Sequence, residues 1–536
     1  MKQMKRLGLV VSLAVVALAG SAARALPFYL PDYTLDPTTG TGFQYNHEGG
    51  IQGKHDVVII PDGRVVANIQ YYQTGNPLDF HIAHWRGDAL LPTPQVEIDR
   101  PSSLASGINR YGWISGTTTP TGSDAGKPAV WRPDGTRIDL PMLPGKPYGG
   151  AAAINDSGFV AGAYDEFDGP DAWPHPVCWT PSLEIVELTN PLATSRPFGV
   201  AYLVNSSGII AGIVYGEGGN LHAMKWDING TATILPQTTN TGNTLTRSIT
   251  TELLDDGTIL GSGRVGPSGQ IPCGVLWMPN GEAIELRSPN QTEQRSVIPY
   301  GINRNHHAVG WGSISGDAFA VRWSPTGDPF VLDRLPDAPS NAFEVAYDIN
   351  DFNFAVGESE YGNFHSAALW KPDGDAIDLN SLVESSDEWT FVEAHSITNT
   401  GWIAGVGWFD PSELIGYYRP FSILVPFAGT YGMGDANFDE SIDFADLLIV
   451  AQHYGSSTGG SVDAGDFNLD GVVDFTDLLA IAQNYENVLG DSVGLLPNGV
   501  NPTFASDWQT ARAMVPEPNL VGALIGAGLL LRRRRA

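Results

Sequence analysis

Between residues 26 and 429, apolar and polar positions alternate in short runs, such as Arg137-Ile138-Asp139-Leu140, bounded by turn residues. Period two over a few residues predicts half-buried strands. The runs recur with a period near 47, marked by Trp85, Trp131, Trp179, Trp226, Trp277, Trp323 and Trp370, which are 46, 48, 47, 51, 46 and 47 residues apart. Ahead of most of them lies an apolar-Asn-x-x-Gly turn and a short strand ending in Gly. Ile108-Asn109 with Gly112 leads to Gly116, Ile154-Asn155 with Gly158 leads to Gly162, and Val204-Asn205 with Gly208 leads to Gly212; Ile302-Asn303 and Ile349-Asn350 continue the series. After the Trp comes a second turn, as in Pro133-Asp134-Gly135, Pro279-Asn280-Gly281 or Pro372-Asp373-Gly374, and another alternating strand.

Each unit therefore predicts two hairpins with Asn/Asp-Gly turns, a four-stranded antiparallel sheet whose Trp-bearing strand is buried on both faces. A small sheet cannot bury both faces alone, so units of this length must stack around an axis as the blades of a β-propeller. An N-terminal unit around Pro61-Asp62-Gly63, and a last one from Ser396 to Val425 with Tyr418 in place of Trp, bring the count to eight. Seven follows instead if an end unit splits to close the ring or lies outside it.

The pattern changes near the C-terminus, where Leu447–Tyr454 and Leu478–Tyr485 read as amphipathic helices, each preceded by an Asp-rich loop. In the first loop, oxygen side chains fall at positions 1, 3, 5, 9 and 12 as Asp435, Asn437, Asp439, Asp443 and Asp446, with Ser441 at position 7. The second places Asp466, Asn468, Asp470, Asp474 and Asp477 at the same positions, with Val472 at position 7, 31 residues further on. This spacing wraps one hard cation, and Ca²⁺ takes six to eight oxygens, including the position 7 carbonyl. Two Ca²⁺ sites are expected. Apolar Ile442 and Val473 at position 8 can face a shared core. Residues 434–487 contain eleven Asp and Glu and no Lys or Arg, so folding should be coupled to calcium. Position 6 is Gly471 in the second loop but Glu440 in the first. A side chain forced to positive φ costs on the order of 1 kcal/mol, which predicts a weaker first site.

The ends carry addresses. Lys2, Lys5 and Arg6 precede the apolar run Leu7–Gly20, which is too short to span a bilayer, and Ala23-Arg24-Ala25 is a cleavage signature for signal peptidase. Residues 1–25 are read as a secretory signal. At the other end, Val515-Pro516-Glu517-Pro518 is followed by apolar Leu520–Leu531 and then Arg532–Arg535. Four Arg stay on the cytoplasmic side of a membrane and leave the body outside. Twelve apolar residues favour a transient signal over a permanent anchor. Residues 488–514 read as a linker and 515–536 as the sorting segment. A formal net charge of −30 argues against nucleic acid and anionic membrane as partners. Cys178 and Cys273 sit at different offsets of non-adjacent repeats and read as buried core residues rather than a disulfide.

Catalytic chemistry is not evident. His81, His84, His175 and His222 lie just ahead of Trp but lack zinc-ligand spacing and read as packing. Asp165, Glu166 and Asp168, or Glu358 and Glu360, are candidate acids for glycoside hydrolysis, with Trp173 and Trp408 as sugar-stacking aromatics.

The doubled loop-helix over residues 434–487 resembles a type I dockerin, which implies calcium and a cohesin-like partner, with Phe444-Ala445 and Phe475-Thr476 at the recognition positions. The family favours small polar residues there, so Phe departs from its pattern. The repeats resemble extracellular HAF-type repeats, through His222-Ala-Met-Lys-Trp226, His175-Pro-Val-Cys-Trp179 and His81-Ile-Ala-His84-Trp85. The C-terminal segment resembles a PEP-CTERM tail, which implies exosortase-type processing in a bacterium that makes extracellular polysaccharide. The expected protein is mainly β, a propeller followed by a small all-α calcium-binding domain. It is secreted, attaches to a cohesin-like or cell-surface component, and uses the propeller to bind protein or polysaccharide. The alternative is a dockerin-tethered glycoside hydrolase.

Overall fold

The computed structural model describes strands Leu26–Tyr29 and Gly42–Tyr45, and most of 57–425 outside short loops. In the C-terminal part it describes residues 434, 436, 442–456, 465, 467, 472–484, 508 and 510. The chain divides into two compact units, Met1–Ala428 and Gly429–Ala536.

The first unit is an eight-bladed β-propeller, one antiparallel sheet per blade. Blade 2, Ser102–Ile108, Ile114–Thr119, Lys127–Trp131 and Arg137–Asp139, is a plain meander, with the Trp on its third strand as the alternation predicts. Blade 7 repeats it as Phe343–Ile349, Ala355–Tyr361, Phe364–Trp370 and Ala376–Asp378. Blade 8 supplies only three consecutive strands, Trp389–Ile397, Trp402–Phe409 and Tyr417–Leu424. Its fourth strand is Leu26–Tyr29 from the other end of the chain, paired from Leu26 opposite Leu424 to Tyr29 opposite Phe421. The end unit does split to close the ring, yet the count stays at eight.

The repeated residues are the joints of this ring. Along the described residues each of the eight inter-blade interfaces has its own buried apolar cluster. Into five of them a Trp inserts and donates its indole N–H to a carbonyl after the previous blade: Trp179 to Pro141, Trp226 to Thr189, Trp277 to Pro236, Trp323 to Arg287 and Trp370 to Asp333, all at 2.7–2.8 Å. Burying an indole requires such a partner.

The turn Asn does two jobs. Its Oδ1 closes its own hairpin turn, as Asn205 does by accepting from Ile209 N at 2.8 Å. Its Nδ2 reaches the next blade: Asn109 donates to Asn155 O, Asn155 to Asn205 O, Asn205 to Leu254 O, Asn303 to Asn350 O and Asn350 to Thr398 O, at 2.8–3.2 Å. Thr400 Oγ1 then donates to Pro61 O at 2.9 Å, joining blade 8 to blade 1. The conserved geometry of the Gly in the second strand has an equally local cause. The inner strand bulges at one position in blades 2 to 7, as between Ala201 and Leu203, and at two in blade 8. This sets a carbonyl over the second strand, so a Cβ on Gly212 would lie 2.0 Å from Val200 O.

Because blades 2 to 7 are plain meanders, their turns joining strands one to two and three to four lie on one face of the ring. The Asn clips belong to that face. Turns joining strands two to three, and the blade-to-blade linkers, lie on the other.

Candidate functional site

In the second unit the loops run into helices α1 (Phe444–His453) and α2 (Phe475–Asn484). Both start three residues before the positions expected from apolar spacing, because Asp443 and Asp474 act as N-caps: Asp443 accepts from Ala445 N and Asp474 from Thr476 N, each at 2.8 Å. The position 12 carboxylates are fully buried. Asp446 Oδ1 accepts from Ala436 N at 2.7 Å and Oδ2 from Asp443 N at 2.8 Å. Asp477 repeats this with Phe467 N at 2.7 Å and Asp474 N at 2.9 Å. In each repeat one carboxylate thus ties loop position 2 to position 9.

The buried faces meet in one cluster containing Ile442, Leu447, Val450, Phe467, Val473, Leu478 and Ile481, so the two position 8 residues do face a shared core. Phe444 and Phe475 pack against this cluster, while Ala445 and Thr476 are exposed. The rings therefore support the core, and the residues after them present the surface. Trp508 is 3% exposed within the same cluster. A plain linker over 488–514 does not account for it.

These carboxylates fit a calcium site. Two buried carboxyl groups lie beside an apolar core, within a stretch that has no Lys or Arg of its own. A carboxylate oxygen accepts more than one partner, so amide bonds that fix its orientation leave it able to ligate. Val472, Asp443 and Asp474 lie beside them in the described loops. Asp435, Asn437, Asp439, Ser441, Asp466, Asn468 and Asp470 lie outside the described residues, as do Glu440 and Gly471.

A second constellation lies between blades 7 and 8 of the propeller. Glu358, on the second strand of blade 7, accepts from Tyr347 OH at 2.5 Å and is bonded to His365 Nδ1 at 3.1 Å. Glu360 is the cross-strand partner of His365, with Oε1 3.9 Å from Nε2. From the inner strand of blade 8, Glu393 meets His395 Nε2 at 2.7 Å. One ligand atom each of Glu358, His365 and Glu393 lies within 4.8 Å of the others. The hydrogen bond that His365 donates to Glu358 holds His365 above the usual imidazole range, against the opposing effect of burial. Burial and Glu358 push the Tyr347 phenol far up, keeping it a donor. Trp408 and Tyr418, each 37% exposed with ring centroids 5.0 Å apart, stand nearby on blade 8.

Of the other candidates, Asp165 is described, its carboxyl pushed up by burial, whereas Glu166, Asp168 and Trp173 lie outside the described residues. His175 stacks on Tyr164 at 5.0 Å with Phe198 at its edge, and burial lowers its pKa. Burial lowers that of His84 to about 4, so it is neutral at physiological pH. His222 sits against Gly216; the side chain of His81 is not described. Cys178 and Cys273 are buried free thiols, pushed up to about 12 by burial. Sequence reasoning missed the Glu358–His365–Glu393 group because it spans two blades. The register signal was the Glu-x-Glu strand folding back on His365.

Among the described residues no helix is long and apolar enough to cross a membrane. No curated protein is similar enough in sequence to register as a relative. A prolyl endopeptidase structure shares 10% identity over 64% of this chain and 53% of its own length, with a TM-score of 0.42. The chain thus spans about half of that protein. The β-propeller domain of the trilobed protease from Pyrococcus furiosus shares 11% identity over 64% of this chain and all of its own, TM-score 0.39. The Aleuria aurantia lectin shares 10% over 53% of this chain and 95% of its own, TM-score 0.27. Likenesses of this size carry nothing about activity. The C-terminal unit is different: residues 433–486 match the dockerin type I domain, a family that binds calcium and cohesin partners, and this is the domain that follows the eight-bladed propeller.

Proposed function

We propose that this protein is exported and that its dockerin domain fastens the propeller to a cohesin-like partner outside the cell. The observation that carries the reading is the twofold geometry within the dockerin match: Asp446 and Asp477, both fully buried, close their loops through the same pair of amides. Asp435, Asn437, Asp439, Asp443 and Asp446, with the Ser441 carbonyl, would hold one Ca²⁺. Asp466, Asn468, Asp470, Asp474 and Asp477, with the Val472 carbonyl, would hold the second. Calcium supplies the positive charge that lets these carboxylates share a small folded loop.

Residues 1–25 act as the signal peptide, the HAF-like repeats of 26–429 form the binding platform, and the PEP-CTERM-like tail of 515–536 is the sorting signal. Cleavage after Ala25 would leave Leu26, first residue of the strand that completes blade 8, as the new N-terminus. The test is retention of the full chain on a panel of immobilised cohesin modules, with Ca²⁺ and with chelator. Binding that chelator abolishes and added Ca²⁺ restores supports the reading. Retention indifferent to chelator, or none on any module, overturns it.

A dockerin-tethered glycoside hydrolase is the second reading, favoured by the approach of Glu358 to Glu393 beside Trp408 and Tyr418. Reducing-sugar release from polysaccharides that Glu393→Gln abolishes would establish it.

A further inference from the structure

We propose that Glu358, His365 and Glu393 form a site for a first-row divalent cation, with Zn²⁺ the best match, at the junction of blades 7 and 8. This inference is independent of the dockerin and its calcium. The donor set is two carboxylates and one imidazole, with ligand atoms within 4.8 Å of one another. Donors on a tetrahedral ion at about 2.1 Å lie about 3.4 Å apart, so small rotamer changes close the site. A site for Ca²⁺ or Mg²⁺ would be built from oxygens alone; the imidazole selects a softer ion.

Two further observations point to a cation. Each carboxylate is oriented from behind by a buried donor, Tyr347 OH on Glu358 Oε1 at 2.5 Å and His395 Nε2 on Glu393 Oε2 at 2.7 Å. This is how outer residues hold metal-ligating carboxylates. Second, Glu360 joins them on the His365 side, so three carboxylates converge where no Lys or Arg among the described residues pairs with them; their ion-pair partners are His365 and His395. In a chain of net charge −30, such a convergence lacks a strong counter-charge that a dication would supply. The His365 side chain is 31% exposed, which gives an ion entry and leaves one side of the site open for a ligand.

The test uses the full chain in saturating Ca²⁺, titrated with zinc chloride by calorimetry and melted with and without zinc. Wild type should take up one zinc equivalent at least tenfold more tightly than Glu393→Gln or His365→Ala, and only wild type should melt higher with zinc. With zinc omitted and Ca²⁺ kept, Glu393→Gln removes a like charge yet keeps an oxygen to accept from His395, so it should melt no lower than wild type, which separates lost zinc binding from misfolding. A mere hydrogen-bond network predicts the reverse: Glu393→Gln melting lower without zinc, and no zinc response in wild type. That result overturns the proposal, as does equal zinc affinity in wild type and both variants.

Discussion

Asn205 tests the ring of clips most sharply, because it separates a residue that shapes its own turn from one that joins two blades. It is 5% exposed, accepts from Ile209 N at 2.8 Å and donates to Leu254 O of the next blade at 2.8 Å. Asn205→Ala deletes both bonds and leaves a part-buried amide and a part-buried carbonyl without this partner, a loss of about 2 kcal/mol. Asn205→Asp keeps the Ile209 bond but turns a carboxylate oxygen toward the Leu254 carbonyl, where the donor was. Repulsion and desolvation should make that cost about 3 kcal/mol. Urea unfolding of the full chain in Ca²⁺, followed by tryptophan fluorescence, should rank wild type above Ala and Ala at or above Asp. If Asn205 served only its own turn, Asp would be a near-neutral substitute, since both residues form the same side-chain turn. An Asp variant within about 0.5 kcal/mol of wild type refutes the inter-blade clip.

Other outcomes follow from single residues. Burial pushes the fully buried Glu344 up to about 7 from an ordinary 4.5, with Arg334 opposing. The folded chain then binds this proton more tightly than the unfolded one, so the contribution is fully present below pH 4.5 and is lost as pH rises through 7. Glu344→Gln should remove a decline of about 3 kcal/mol from the stability profile between those limits, measured by denaturation at each pH. Trp508→Ala should cost the dockerin about 3–5 kcal/mol by cavity formation and weaken calcium binding, read by calorimetry. Glu440→Gly should tighten the first calcium site toward the second; equal affinities at both loops in wild type would contradict the strain assigned to Glu440.

Much of the propeller was legible because its joints are local. Trp226, Asn205 and Gly212 recur at fixed offsets, and each offset is set by one contact: an indole bond, a turn amide, a bulged carbonyl. The pairing of Leu26 with Leu424 had no local signal, because the strand that completes blade 8 comes from the far end of the chain. Trp508 was missed for a similar reason: one aromatic in a polar stretch shows no period. Asp446 and Asp477 were read from spacing alone, and the structure added their burial and amide partners. The convergence of Glu393 on Glu358 and His365 depends on blade stacking, which no spacing in the sequence encodes.

If Asp446 and Asp477, both fully buried, each organise one calcium loop, removing either carboxylate should empty one site. Calorimetric titration of the full chain with Ca²⁺, repeated for Asp446→Asn, Asp477→Asn and the double variant, tests it directly. Wild type should take up two equivalents, each single variant one and the double variant none. Wild type taking up no calcium, or single variants that keep both equivalents at unchanged affinity, would contradict it.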